Sequence, residues 1–217
     1  FEDFETVEKL RTADFVLLQE VSGPVDGTTN LAEELARKYG YHYVFAPGCI
    51  LYGANWGNAI LSRWPLENVS KILLPLSEPT SQRAAVAATA MTPSGPIRLY
   101  SIHLRVFFSD SWGKERSRAA QIRPVIEDAV DSGLPAFVGG DFNRFNPNGW
   151  TTLTKSFRSR GFASGSLDRG WSYRKYRLKL DYLFERGPWA ASASGRSTDA
   201  KGSDHLPVWS DFRLPAR

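Results

Sequence analysis

Short apolar runs, each stopped by a polar residue or a turn, recur along this chain and alternate with stretches of helical period. Residues 13–20 form an apolar run that reads as a buried strand ending at Glu20, with Ser22-Gly23-Pro24 breaking it. Phe1, Phe4, Val7 and Leu10 before it recur at helical spacing, with acids early and Lys9 and Arg11 late. Asn30, with Glu33 at the capping-box position and Gly40 as the stop, predicts a helix over 31–39 whose apolar face is Leu31, Leu35 and Tyr39. Residues 41–45 read as a strand, followed by a Gly-rich loop through Asn55-Trp56-Gly57 and a strand over 58–63. Strands are expected at 69–76, 83–91 and 97–104, with a turn at Pro93-Ser94-Gly95-Pro96.

Beyond an aromatic loop at 105–116, the face Ile122, Ile126, Ala129 and Val130 predicts a helix in which Pro124 occupies the first turn or makes a kink. The run Pro135-Ala136-Phe137-Val138-Gly139-Gly140 then ends in Asp141-Phe142-Asn143, a buried strand stopping at a turn. Asp141 and Asn143 are expected to leave that strand end on the same side of the pleat. A turn at Asn146-Pro147-Asn148-Gly149, a helix near 151–160 and strands at 180–184, 188–192 and 206–212 complete the pattern. Mixed strands and helices without repeat or linker predict one α/β domain over 1–217.

Composition narrows the chemistry. Of 217 residues 42% are hydrophobic, enough for a substantial core, and the net charge of +4 suits an anionic substrate without naming one. The single cysteine, Cys49, excludes an internal disulfide framework and a multi-cysteine zinc site. No apolar run approaches the ~18 residues of a membrane helix, so no membrane span is expected. No signal peptide is visible, and the sequence opens at Phe1 without methionine.

Polar groups stand beside apolar strands at five places: Glu20, His103, the pair Asp141 and Asn143, Asp181, and the cluster Ser203-Asp204-His205. Singly, each has a structural explanation as a solvated strand end, a core histidine, a sheet-edge charge or a turn. Together they suit a single sheet edge. Several carboxylates without clustered cysteine or histidine favour a hard cation, Mg²⁺ or Mn²⁺. A cation, a carboxylate to orient water and an imidazole to stabilise new charge are what phosphoester hydrolysis needs. No Gly-x-Ser-x-Gly, His-Glu-x-x-His, P-loop or Gly-x-Gly-x-x-Gly motif competes.

Leu18-Gln19-Glu20, Gly57-Asn58-Ala59-Ile60-Leu61-Ser62-Arg63, Ile102-His103-Leu104, Gly140-Asp141-Phe142-Asn143, Leu180-Asp181-Tyr182-Leu183-Phe184 and Ser203-Asp204-His205-Leu206-Pro207 resemble, in order, the motifs of the endonuclease/exonuclease/phosphatase family, the DNase I-like fold. The resemblance implies a four-layer sandwich of two packed mixed sheets flanked by helices, with the site at one sandwich edge. It implies that Glu20 is the principal metal ligand and Asp204 a second metal-side carboxylate. Asp141 resembles the residue that orients or deprotonates water, Asn143 its partner near the phosphoryl oxygens, and His103 the histidine contacting phosphate. His205 resembles the catalytic histidine and Asp181 the acid that fixes its tautomer; Asn58 matches a position near the substrate. The family begins with a strand ending in asparagine, whereas this sequence opens on the helix after it, so the first strand is expected to be missing from the sheet.

The stretch from Trp171 to Lys179 interleaves aromatic and basic residues, Arg174 and Tyr176 among them, which suits stacking and phosphate contact in a nucleic acid groove or a polar strand edge with snorkelling bases. Phe107, Phe108 and Trp112 could touch bases, touch lipid or cover the core. The expected activity is a monomeric, metal-dependent phosphodiesterase cleaving nucleic acid. The alternatives are a phospholipid or sugar-phosphate phosphoesterase and a non-catalytic binding domain of the same fold.

Overall fold

The computed structural model describes residues 2–75, 82–105, 112–144, 152–166 and 168–213. Its elements are α1 (Glu2–Thr6), α2 (Glu8–Thr12), β1 (Phe15–Pro24), α3 (Leu31–Tyr39), β2 (His42–Leu51), β3 (Ala54–Ser62), β4 (Leu66–Leu73) and β5 (Ala84–Thr92). They continue as β6 (Gly95–His103), α4 (Trp112–Asp131), β7 (Ala136–Asp141), α5 (Thr152–Arg158), β8 (Ala163–Ser164), β9 (Asp181–Arg186), β10 (Ala190–Arg196) and β11 (Val208–Arg213).

The strands form a three-stranded sheet β1-β3-β2, a six-stranded sheet β4-β5-β6-β7-β9-β8 and a ribbon β10-β11. Only β6 and β7 pair in parallel within these sheets. Three apolar clusters divide the layers. Ile60 and Ala46 of the small sheet meet Val86, Ala88, Leu99 and Phe137 of the large one, with Trp189 and Phe212 of the ribbon region packed on the same cluster. The outer face of the large sheet, including Ala87, Tyr100, Ile102 and Val138, carries α4 and α5 through Ile122, Val125, Ile126, Leu153 and Phe157. The outer face of the small sheet carries α1 and α3 through Phe4, Ala32, Leu35 and Ala36. Helix, sheet, sheet, helix is the four-layer sandwich expected. It follows from strands whose successive side chains are apolar on both faces, so each sheet needs cover on two sides.

Local chemistry explains the best-predicted element. Asn30 accepts the Glu33 backbone N–H at 3.0 Å, and Gly40 ends α3 in the left-handed conformation at φ 69°. Elsewhere the chain departs from expectation. Ser22-Gly23-Pro24 does not break β1, which stays paired as far as Pro24 opposite Ala54. The expected Gly-rich loop before residue 58 is instead a long hairpin of β2 and β3, closed by Tyr52 (φ 50°) and Gly53 (φ 74°). Positive φ at both central residues matches the twist of paired strands, so a two-residue turn suffices. Gly57 lets this pairing close, because a Cβ there would lie 2.0 Å from the Ala46 carbonyl oxygen.

Pro124 sits near the middle of α4 rather than in its first turn. Burial of its neighbours Ile122, Val125, Ile126 and Ala129 holds the helix on the sheet despite the lost backbone donor. Strand β8 has only two residues and left no periodic signal. The Asn146–Gly149 turn and the Phe107 and Phe108 positions lie outside the described residues. No helix among the described residues is long and apolar enough to cross a membrane.

Gly57→Ala forces the β2–β3 pairing apart. Urea unfolding should register a larger loss than for Gly27→Ala, whose Cβ meets open space and costs only the strain of positive φ, about 1 kcal/mol.

Candidate active site

The parity of the strands gathers the polar residues. On β6, Leu99 faces the inter-sheet cluster, so Ser101 and His103 share that face two and four residues on. The same count runs from Phe137 to Asp141 on β7 and from Leu183 back to Asp181 on β9. Register then aligns the ends: His103 is the partner of Asp141, and Asp141 of Asp181. Three polar side chains therefore lie abreast where the apolar filling between the sheets stops. All three are more than nine-tenths buried.

His205 arrives from the loop before β11. Its Nδ1 lies 2.7 Å from Asp181 Oδ2, and its Nε2 lies 4.0 Å from Asp141 Oδ2. The loop is pinned on both sides, since the Leu206 N–H donates to Ser172 O at 2.7 Å and the Arg174 N–H to Asp204 O at 2.9 Å. Fully buried Ser172 also accepts the N–H groups of Leu180 and Asp181 through Oγ, each at 3.1 Å, which fixes the backbone that carries the acid. Arg174 braces the same loop by donating Nε to Ser203 O at 3.2 Å and Nη2 to Ala200 O. Tyr176 is 61% exposed, and its ring lies 5.9 Å from that of Tyr173, which in turn lies 5.0 Å from the His205 ring. The aromatic stretch thus forms a row that ends at the imidazole.

Asp141 has two different oxygens. Oδ1 accepts the Asn143 backbone N–H at 2.7 Å, while Oδ2 faces His103 Nε2 at 3.5 Å and His205 Nε2 at 4.0 Å. Oδ2 is the atom that can hold a water. Asn143 does not continue the pleat beside it, because β7 ends at Asp141 and Asn143 takes φ 47°. Its amide instead donates to Leu104 O at 2.8 Å and ties the end of β7 to the end of β6. The expectation of both side chains leaving one side of a strand is corrected here by the tight Asp-Phe-Asn turn. Such non-glycine residues at positive φ are held by their surroundings, and Glu20 is another at φ 55°.

Glu20 lies in the irregularity between Leu18 and Val21 that disrupts the β1–β3 register. Its side chain is 61% exposed and reaches within 4.0 Å of His103 Nδ1. The two sheets are stitched together beside it: Ser101 Oγ donates to Leu18 O at 2.8 Å and accepts from Gln19 Nε2 at 3.0 Å. Buried Asn58 donates to Ala84 O at 2.7 Å, another bond between the sheets. Asp204 is exposed beside His205.

Electrostatics separate the two histidines. Burial drives His103 down to about 3, helped by the positive charges of Arg83 and His205. Arg83 Nη1 stands 3.2 Å from His103 Nδ1. A guanidinium only donates, so Nδ1 accepts and the ring proton sits on Nε2, facing Asp141. For His205, burial opposes the charge, but the hydrogen bond and charge of Asp181, with Asp141 and Asp204 beyond, raise it to about 9. Asp141 rises to about 7, first through burial and then through the Asp181 charge opposite. The site therefore combines a neutral imidazole, an imidazolium and a carboxyl poised near neutrality. That is an acid–base set for adding water to an electrophile.

The donors also fit a hard cation. Asp141, Asp181 and His205 bring ligand atoms within 4.8 Å of one another, and Glu20 and Asp204 add carboxylates at the rim. No thiol belongs to the set, and two adjacent buried carboxylates call for positive charge.

Comparison with known proteins gives the family. The model of the Endonuclease/Exonuclease/phosphatase family matches residues 5–205, and the chain belongs to that family. The family consists of hydrolases of phosphoester bonds, including nucleases, phosphatases and phosphodiesterases, and its enzymes generally use divalent metals. Among solved structures, the chain is similar to an endonuclease/exonuclease/phosphatase from Beutenbergia cavernae, with 22% identity and TM-score 0.77 over 96% of this chain and 64% of that one. This chain thus spans less than two thirds of that protein. It is also similar to the human Nocturnin catalytic domain with bound sulfate, with 23% identity and TM-score 0.72 over 98% and 83% of the two chains. A third similar structure is D. rerio TDP2 complexed with single strand DNA product, with 15% identity and TM-score 0.69 over 98% and 91%. A search of curated proteins found no match.

Sequence reasoning did not find Arg83, Ser172 or Ser101. Each acts on a residue far away in the chain, and none carries a local pattern of its own.

Two measurements check the electrostatics. In ¹⁵N spectra at pH 7, His103 should be the neutral Nε2–H tautomer, and Arg83→Met should introduce the Nδ1–H form. In metal-free protein, the raised pKa of His205 contributes stability that is complete below about 6.5 and lost as pH rises through about 9. The raised Asp141 carboxyl acts in the same direction, from 3.8 to about 7. Below pH 6.5 the depressed His103 acts the other way, its contribution growing as pH rises from about 3. Melting temperature without metal should therefore fall between pH 6.5 and about 9, and Asp181→Asn should flatten that fall.

Proposed function

We propose that this chain is a divalent-cation-dependent phosphodiesterase that cleaves nucleic acid, acting as a monomeric single catalytic domain. The observation that carries the reading is the pairing of Asp141 Oδ2 with two imidazoles in opposite charge states. A phosphatase or diesterase reaction needs those three roles at once. Family membership supplies the reaction class. The row Tyr176, Tyr173 and His205, with Lys175 Nζ 5.3 Å from the Tyr176 ring centroid, favours a base-bearing chain over a small sugar phosphate. The complex of D. rerio TDP2 with single strand DNA product supports the same choice by analogy of fold.

In this mechanism Asp141 Oδ2 holds the attacking water and accepts its proton as the oxygen–phosphorus bond forms. The neutral Nε2–H of His103 donates to a phosphoryl oxygen. His205, as imidazolium, stabilises the charge on the phosphoryl group and releases its proton to the departing oxygen as the ester bond breaks. Asp181 keeps that ring oriented through Nδ1, and Asn143 holds the Asp141 turn against Leu104. Asn58 holds the sheets at the site mouth, Arg174 braces the His205 loop, and Tyr176 offers a stacking surface to substrate. Glu20 and Asp204 would hold Mg²⁺ or Mn²⁺, which would supply positive charge to the phosphoryl oxygens.

Incubation of full-length protein with single-stranded DNA, RNA, a short-chain phospholipid and a sugar phosphate, with and without EDTA, tests the assignment. EDTA-sensitive cleavage of a polynucleotide is expected; cleavage of lipid or sugar phosphate alone, or of nothing, overturns it. Asp141→Asn and His205→Ala should each lower turnover by about 10²–10⁴-fold while circular dichroism shows the fold retained. Glu20→Gln should raise the metal concentration needed for half-maximal rate. The rate should fall as pH rises through about 9, where His205 loses its proton, and Asp181→Asn should bring that fall to lower pH.

A further inference from the structure

On the side of His103 away from Asp141, the site opens into a cleft of about 180 Å³. Glu20 and His103 line it together with Cys49, Leu51 and Trp56 of the β2–β3 hairpin and Arg83 just before β5. The mechanism uses neither Trp56 nor the free part of Arg83.

The two walls differ. On the hairpin side, Trp56 is paired with Cys49 across β2–β3 and with Ser22 across β1–β3, so its backbone is fixed. Its indole meets no other aromatic ring among the described residues and is only partly buried. An aromatic face held at a site mouth without a ring partner is a stacking platform. On the opposite side, Arg83 engages His103 through Nη1 and forms no ion pair among the described residues. An alkyl chain filling this cleft would strip water from that guanidinium and give nothing in return. A flat heterocycle would cover the indole with its face and offer polar edge atoms to the guanidinium.

We infer that the cleft between Trp56 and Arg83 is a specificity subsite for the nucleobase adjoining the scissile phosphate, with Trp56 as the stacking residue. The inference rests on the nucleic acid reading above and adds the residue that recognises the ring. A base stacked there hangs beside Glu20 and His103, so its phosphate reaches the reacting end of the cleft without leaving the sheet edge.

Calorimetric binding of adenosine 5′-monophosphate, with ribose 5-phosphate as the ligand lacking the ring, tests this on full-length protein in the presence of Mg²⁺. Native protein should prefer the nucleotide by about tenfold, the weight of one base–aromatic stack. Trp56→Phe should keep most of that preference. Trp56→Leu, which retains an apolar wall without a π face, should bring the ratio near one, with circular dichroism and melting temperature confirming its fold. Equal affinity in native protein, a ratio unaltered in Trp56→Leu, or tighter binding of dihexanoyl phosphatidic acid than of the nucleotide would each overturn the subsite. Hydrolysis of methyl p-nitrophenyl phosphate is followed in parallel. Turnover without ring preference removes the subsite and leaves the phosphoesterase, whereas ring preference without turnover supports the subsite and removes the catalytic reading.

Discussion

Antiparallel pairing of β7 with β9 sets two carboxylates, Asp141 and Asp181, directly opposite each other at a strand end that is almost closed to water. Side chains opposed across a ladder are neighbours, so like charges there repel, and burial strengthens the repulsion. The rest of the site answers that constraint. Ser172 and Asn143 fix the two backbones, and His205 is drawn to the pair and charged by it. The Asp141 carboxyl is left close to neutrality in its proton affinity. A fold optimised only for stability would place apolar residues here, and two buried acids at one strand end mark it as a candidate functional site.

The second sheet is as necessary as the first. Glu20 belongs to β1, and its approach to His103 depends on how closely the small sheet packs on the large one. Ser101, Gln19 and Asn58 join the sheets by hydrogen bonds at this edge, where apolar packing has ended. Farther in, Phe137 lies within 4.8 Å of the Trp189 ring and 4.7 Å of the Phe212 ring, so the inter-sheet core is firm behind the site. The network of Arg98 with Asp128, at 3.0 Å, and of Tyr100 with the same acid anchors α4 on the outer face. Catalytic geometry set by side chains on rigid strands is held more closely than geometry set by loops.

The two histidines show how environment divides one residue type into two roles. His103 is enclosed and faces a guanidinium; His205 is a quarter exposed and faces carboxylates. Their motifs in the sequence, Ile-His-Leu and Asp-His-Leu, differ only slightly, yet their proton affinities diverge on either side of neutrality. The cleft beyond His103 was hidden for a related reason: the segment containing Trp56 reads as a glycine-rich loop. Only cross-strand pairing makes it a wall.

Much was already written in the residue pattern. Apolar runs ending in His103 and Asp141 determined where β6 and β7 stop, because a polar group seldom follows an apolar run into a core. Asn30 and Gly40 determined both ends of α3, because capping is a contact between near neighbours. Six ordered motifs determined the family. Register, by contrast, belongs to tertiary structure: that Asp141 opposes both His103 and Asp181, that Arg83 selects a tautomer, and that Ser172 supports an acid were decided by which strands pair. So were the continuation of β1 through Pro24 and the hairpin at Tyr52-Gly53. Hydrogen bonds and charges act across a few ångströms of space, and the sequence separations they bridge, 20 residues for Arg83 and His103 and 24 for Asp181 and His205, leave no periodic trace along the chain.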